Sequence, residues 1–254
     1  ALSSDGTTIV SGDDSSKVTL WDAATGEKRR EMECGDWVNS VVLSSDGTTI
    51  VSGNSSKKVT LWDAATGKKR REMECGDSVS SVALSSDGTT IVSGDYSNNV
   101  TLWDVATGEM LQEMECGFTV LGVALSSDGS TIVSGDASNK VTLWDAASGE
   151  KRREMLCGDK VLSVALSSDS TTIVSGDASN KVTFWNAASG EKRREMQCGG
   201  EVRSVAFSSD GSTIVSGDES KKVTLWGDVT GEKRREMQGG GSVFSVALAS
   251  DGAT

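Results

Sequence analysis

Apolar and β-branched residues in this chain fall in short runs, separated by clusters of Ser, Asp, Gly and Thr. The first unit opens with SSDGTT (residues 3–8), where Asp-Gly between apolar runs signals a two-residue hairpin turn. TTIVSG (7–12) follows as a β-branched strand. A polar loop, 13–16, leads to a second strand, KVTLWD (17–22). DAATGE then turns the chain, with Gly26 suited to a left-handed position, into a third strand over 28–33. Cys34-Gly35-Asp36 reverses it again, and 37–43 forms a fourth strand ending at the next SSDG. The pattern then starts over. Trp21, Trp62, Trp103, Trp144, Trp185 and Trp226 follow one another at a constant interval of 41 residues, without insertion or deletion. A fixed period of that size marks a repeat architecture, in which a unit too small to fold alone buries its faces against its neighbours. The expected organisation is therefore one assembly over 1–254, with repeats 1–41, 42–82, 83–123, 124–164, 165–205 and 206–246, and with 247–254 opening a further copy.

Four antiparallel strands joined by tight turns in each unit are the content of one β-propeller blade. The units resemble WD-repeats: SVVLSSDG, then TTIVSG, VTLWD and ATGE, match that family's strands a, b, c and d over the whole chain. The resemblance implies an all-β propeller of four-stranded blades whose common role is protein-protein scaffolding. Two departures stand out. The family's Gly-His before strand a is absent, with Cys34-Gly35 nearest its place. The Asp usually found six residues before the Trp is Ser15, Ser56, Ser97, Ser138, Ser179 and Ser220. The family's Trp-Ser-His-Asp network therefore does not form in its usual way, and Ser11 and its equivalents are expected to carry what remains. Six blades' worth of sequence fits either a closed six-bladed ring, with 242–249 completing the first blade, or an open arc of a larger ring.

A net charge of −12 argues against attraction to nucleic acid or anionic membrane. No apolar stretch is long enough to span a bilayer, and no signal peptide is present. The chain opens at Ala1 within a repeat, as a piece of a longer array would. Cys34, Cys75, Cys116, Cys157 and Cys198 occupy one column of the repeat, an odd count at equivalent places. Packed sheets about 10 Å apart exceed the roughly 7 Å Cα limit for a disulfide, so these read as small buried thiols and favour an intracellular, cytoplasmic setting. A ring of metal ligands is the sharper alternative, but the chain has no histidine and the spacing does not suit zinc. With no histidine to serve as base and no phosphate loop, neither catalysis nor a cofactor is expected.

Most columns of the repeat are almost uniform, while three each hold five residue types in six copies. The first, in the b-c loop, reads Asp14, Ser55, Tyr96, Ala137, Ala178, Glu219. The second, opening strand a, reads Trp37, Ser78, Thr119, Lys160, Glu201, Ser242. The third, two residues on, reads Asn39, Ser80, Leu121, Leu162, Arg203, Phe244. Residues two apart on a strand share a side. In a propeller the b-c and d-a loops emerge on one rim, so the three columns are expected to converge beside the channel mouth. Drift after duplication is the plain alternative, yet the columns of Ser3, Ser4, Thr25 and Glu31 read as equally exposed and are almost uniform. Trp37, Tyr96, Phe118 and Phe244, the aromatics outside the core, lie in or beside these columns, and Arg203 joins them. Aromatics and Arg dominate binding hot spots. The expected site is therefore a partner-binding rim of Asp14, Trp37, Asn39, Tyr96, Phe118, Thr119, Leu121, Lys160, Leu162, Glu201, Arg203, Glu219 and Phe244. Near-identical repeats varying on one rim resemble the recognition propellers of immune-type receptors. KRRE on strand d (28–31 and equivalents) reads as an outer edge charged against aggregation, with a basic belt for an acidic partner as the alternative. The expected function is a non-enzymatic module for a protein or peptide partner, monomeric or part of a longer chain. A lectin-like or small-ligand site in the channel and an amplified array without a selected ligand are the alternatives.

Overall fold

A computed structural model describes residues 1–227 and 231–248. It is all β: six blades arranged as a propeller, with no helix among the described residues. Blade 1 contains β1 (Thr8–Gly12), β2 (Lys17–Asp22) and β3 (Lys28–Glu33). Blade 2 contains β4 (Val38–Leu43), β5 (Thr49–Asn54), β6 (Lys58–Asp63) and β7 (Lys69–Glu74), in the order β4-β5-β6-β7, all antiparallel. Blades 3 to 6 repeat this plan. β8 (Val79–Leu84), β12 (Val120–Leu125), β16 (Val161–Leu166) and β20 (Val202–Phe207) are their inner strands. β11 (Met110–Glu115), β15 (Lys151–Leu156), β19 (Lys192–Gln197) and β23 (Lys233–Gln238) are their outer edges.

The predicted hairpin turn differs in one respect. Ser44 N–H donates to Thr49 C=O, so four residues, not two, lie between the strands. Asp-Gly still closes the turn: Gly47 N–H donates to Ser44 C=O, with Gly47 at φ +70. A left-handed residue after the first turn gives the longer hairpin its bulge. Ser170 holds the same conformation at φ 58 where the fifth copy lacks glycine.

The apolar core is built between blades, not within them. Val18, Leu20 and Met32 of blade 1 pack with Val38, Ile50 and Trp62 of blade 2, and four further clusters repeat this arrangement up to blades 5 and 6. Spacing is set by the glycine of each TIVSG. A Cβ on Gly135 would stand 2.5 Å from Val161 Cγ1 and 3.0 Å from Val164 Cγ1 of the next blade. Val161 and Val164 lie on one side of β16 although they are three residues apart. A β-bulge between Val161 and Ser163 makes that possible, and every complete inner strand carries one at the same place. Polar links tie neighbours at the periphery: Ser45 Oγ donates to Ser86 C=O (2.7 Å) and Arg30 to the Ala65 and Thr66 carbonyls.

Each ladder tryptophan donates Nε1–H to the serine of strand b, as Trp62 does to Ser52 at 2.9 Å and Trp144 to Ser134 at 2.9 Å. The cysteine ahead of each inner strand meets that same hydroxyl, with Cys34 Sγ 3.4 Å from Ser52 Oγ. A Trp-Ser-Cys chain thus stands where the related repeats place histidine. Burial pushes the Cys75, Cys116, Cys157 and Cys198 thiols up to about 11.

The ring is not sealed between blade 6 and blade 1. Ile9 is 40% exposed, whereas Ile50, Ile91, Ile132, Ile173 and Ile214 are at 0%. Trp21 on blade 1, and Val223, Leu225 and Met237 on blade 6, are only half-buried. Residues 242–248 dock on blade 6 as an inner strand would: Val243 N–H donates to Asp218 C=O and Val246 N–H to Ser204 Oγ, both at 3.1 Å. Among the described residues they form no ladder with β1, whose inner edge carries the Leu2–Ile9 bridge and reciprocal hydrogen bonds between Ala1 and Val10. The expected completion of blade 1 by 242–249 is thus not seen over 242–248, and residue 249 lies outside the described residues. Residues 249–254 of the expected further copy lie outside the described residues.

Two outcomes follow. Gly135→Ala forces its methyl onto a stiff β-branched side chain, so it is expected to cost about 1–3 kcal/mol of stability, read from the urea midpoint. Val161→Ala in the same chain is expected to recover part of that loss, because the two sites couple directly. The raised thiols give the second outcome. At pH 8 roughly 100-fold less thiolate is available than at an unshifted cysteine, so iodoacetamide is expected to modify the native protein far more slowly than the urea-unfolded chain. Because the native thiols keep protons that unfolded ones release above their ordinary value of 9.0, their contribution to stability is intact below that pH. It is expected to be lost as pH rises toward about 11, a change read in thermal melts.

Candidate functional site: the rim at the channel mouth

The bulge that sets the blade spacing also builds the site. The residue it leaves unpaired between Val38 and Ser40 is Asn39, and its counterparts are Ser80, Leu121, Leu162 and Arg203, the third variable column. All five line the central cavity of about 1030 Å³, together with Phe244. The simple two-residue alternation expected from sequence does not apply here, because Trp37 precedes β4 and Asn39 is the bulged residue. Trp37 and Asn39 nevertheless both line the cavity, as does Asp14.

Backbone hydrogen bonds bind the first column to the second. Ser55 N–H donates to Trp37 C=O (2.9 Å), Tyr96 N–H to Ser78 C=O (3.0 Å) and Glu219 N–H to Glu201 C=O (3.0 Å). Ala137 N–H donates to Thr119 C=O (2.9 Å) and Ala178 N–H to Lys160 C=O (3.0 Å). In blades 2 and 6 the side chain of the third column closes the triangle. Asn39 Nδ2–H donates to Ser55 Oγ (3.2 Å) in its own blade and to Ser78 Oγ (3.3 Å) and Val79 C=O (2.9 Å) in the next. The Arg203 guanidinium bonds Glu219 through Nε (3.0 Å) and pairs with Glu201 at 2.9 Å. The first and second columns are thus joined from blade 2 to blade 6, and the third, which lines the cavity, meets them in blades 2 and 6.

Asp14, Trp37, Asn39, Leu121, Leu162, Arg203 and Phe244 face the cavity. Tyr96, Phe118, Thr119, Lys160, Glu201 and Glu219 stand on the b-c and d-a segments around it. Trp37, Tyr96, Phe118 and Phe244 are each more than half exposed. One rim residue escaped the sequence reading. Leu156 ends β15 where other copies carry Glu or Gln, and it is 66% exposed opposite Lys140 at the rim end of strand c. Its trace in the sequence is a single apolar residue in an otherwise polar column.

The uniform columns prove to be uniform for structural reasons. Ser3 is buried, accepts from Thr8 N–H (2.9 Å) and donates to Asp5 (2.6 Å). The Ser3 hydroxyl, with the Thr7 N–H and hydroxyl, holds the Asp5 carboxyl down to about 2. Ser4 Oγ donates to Ser45 C=O of the next blade (2.6 Å), and Thr25 Oγ1 accepts from Glu27 N–H (3.3 Å). Glu31 is bridged by Lys17 and Lys28, each at 2.6 Å, and its carboxyl is held down to about 2. Their constancy therefore carries no weight against drift at the rim. What weighs instead is that the variable positions meet in space and present aromatic side chains to solvent.

KRRE is likewise committed within the structure. Lys28 pairs with Glu31, Arg29 with Asp22 and Thr8, and Arg30 reaches the next blade's turn. Lys69 also lies over the Trp62 ring at 5.7 Å. A basic belt is thereby answered by internal partners. In blade 3 the sequence MLQE leaves Met110 and Leu111 exposed, while Gln112 keeps the interblade link to Ser148 C=O (2.9 Å).

Comparison with individual curated proteins gives no match. A family comparison does, and its match, to the family described as the IFT122 first beta-propeller, runs over residues 1–254; the chain belongs to that family.

Proposed function

We propose that this propeller is a non-enzymatic docking platform that binds a protein or peptide partner across the b-c and d-a rim. The observation that carries the reading is that the third variable column lines the channel cavity while the first and second are hydrogen-bonded to each other beside it, with Trp37, Tyr96, Phe118 and Phe244 exposed on these segments. Large, stiff aromatic side chains supply contact area at low conformational cost, and a rigid scaffold holds them without ordering on binding. Arg203, held between Glu201 and Glu219, adds a fixed polar anchor. Family membership supports a place among intracellular, protein-assembled components of intraflagellar transport. A ligand held alike by every blade is disfavoured, because the cavity lining changes from Asn39 to Leu121 to Arg203 around the ring.

A partner captured by the wild-type chain and then purified provides the test. Trp37→Ala and Tyr96→Ala, or Phe118→Ala and Phe244→Ala, are each expected to weaken its binding by roughly 30-fold, the effect of losing about 2 kcal/mol of hot-spot contact. Leu111→Ala on the outer edge of blade 3 is expected to leave the Kd unchanged. Unaltered calorimetric affinity in the fourfold rim variant, with its circular dichroism intact, sinks the reading.

A further inference from the structure

The outer edge of blade 3 differs in charge from those of the other five blades. In each of those five, the glutamate in the middle of strand d is bridged by two lysines, one from strand c and one from its own strand. Glu154 is held by Lys140 at 2.8 Å and Lys151 at 2.9 Å, and Glu195 by Lys181 and Lys192, both at 2.7 Å. Equivalent pairs stand on Glu31, Glu72 and Glu236. In blades 1, 2 and 4 an arginine of strand d also pairs with the aspartate that ends strand c. Blade 3 keeps both carboxylates, as Glu113 and Asp104, and has none of these cations. Asn99 and Met110 replace the two lysines, Leu111 replaces the arginine, and no Lys or Arg occurs between Arg71 and Lys140. Among the described residues Glu113 accepts a neutral bond from Asn99 Nδ2 (3.3 Å), and no cation pairs with it. Asp104 accepts from the Thr107 N–H (2.7 Å) and hydroxyl (2.9 Å). Those bonds, and more weakly the charge of Arg71 in blade 2, hold its carboxyl below the usual range. The Arg71 guanidinium itself bonds the Ala106 and Thr107 carbonyls.

Lysines along an edge strand turn a further strand away, and β11 has none. Among the described residues no strand pairs with its outer side. Glu113 and Glu115, two apart on β11, share one side and are both exposed. Met110 and Leu111, at the other end of the strand, are 52% and 51% exposed. We propose that β11 is a docking edge for an extended, lysine-rich segment of a partner protein, which adds to blade 3 as a further strand. Lysines at alternate positions of that segment stand opposite Glu113 and Glu115. They supply the ammonium groups that Lys140 and Lys151 supply to Glu154 in blade 4. An apolar residue beyond them covers Met110 and Leu111. A second copy of this chain is disfavoured as the occupant, because it brings its own Glu113 and Glu115 against those of the first. The other blades turn such a segment away with their own Lys and Arg. No residue of β11 lines the channel cavity, so a partner held here is additional to one held at the rim.

The probe is a capped, fluorescently labelled peptide alternating Lys and Thr, with Leu at both ends, and the receptor is the whole chain. Fluorescence anisotropy is expected to show binding that weakens with added salt, and hydrogen exchange to show protection gained in 110–115. Asn99→Lys, Met110→Lys and Leu111→Arg together give blade 3 the residue types its sister blades already carry. That variant is therefore expected to keep its circular dichroism and to bind the peptide about tenfold more weakly. Glu27→Lys with Ala188→Lys makes the same change in net charge on blades 1 and 5, and is expected to bind within about twofold of wild type. The proposal is overturned by an equal loss in both variants, by equal binding of the peptide with Glu in place of Lys, by protection elsewhere than β11, or by no binding at all. Dimerisation of the wild-type chain alone that the edge substitutions abolish puts a second copy on β11 and overturns it as well.

Discussion

Blade spacing rests on one contact, the approach of a valine side chain to a glycine Cα across each interblade boundary. Gly53, Gly135 and Gly176 each place the empty side of strand b where Val79, Val161 and Val202 of the following blade insert. Two sheets of ordinary side chains pack about 10 Å apart, and blades converging on a central axis must come closer at their inner edge. Removing one Cβ per blade at that edge permits the wedge. The remaining apolar residues then fill the wider outer part: Met73 and Trp103 are the large members of the same clusters whose inner members are valines. The graded size of the core, from glycine inside to tryptophan outside, is what turns a stack into a propeller.

The same valines explain the rim. Val38 and Val41 both reach Gly12, and a strand with strict alternation cannot present residues three apart to one side. The bulge that resolves this ejects Asn39 and its counterparts into the channel mouth, free of ladder pairing. A position freed from packing by the spacing requirement is a position where residue type can change without loss of fold. Asn, Ser, Leu and Arg occupy it in successive blades while the valines on either side stay constant. Structural constraint and variability are two sides of one local geometry, so the site varies at no cost to the scaffold.

Much of this was legible beforehand. The constant interval between Trp21, Trp62 and the rest gave the repeat, and the spacing of turn residues within it gave four strands per blade. Ser11 and its equivalents were readable as tryptophan partners because no histidine was available. The bulge was not read, although V-x-x-V in each inner strand is its trace. Exposure was misjudged at Ser3, since a serine beside Asp-Gly looks like a solvated turn until its hydroxyl is seen to accept a backbone N–H, whereas Ser4 is exposed as read but its hydroxyl reaches a neighbouring blade. The Ser4 contact joins residues 41 positions apart and has no local signature.

Ring closure was open in the sequence for a related reason: every interface in the chain is written in the same residues. When Ile9 and Ile50 have identical neighbours in sequence, only their positions in the array separate them, and one ends 40% exposed while the other is sealed. Repetition that makes the fold certain makes partner choice degenerate, because any blade face is chemically suited to any opposite face. Ile9, Trp21, Leu225 and Met237 keep the residue pattern of the sealed interfaces and differ from it only in burial, so surroundings and not residue type set their exposure.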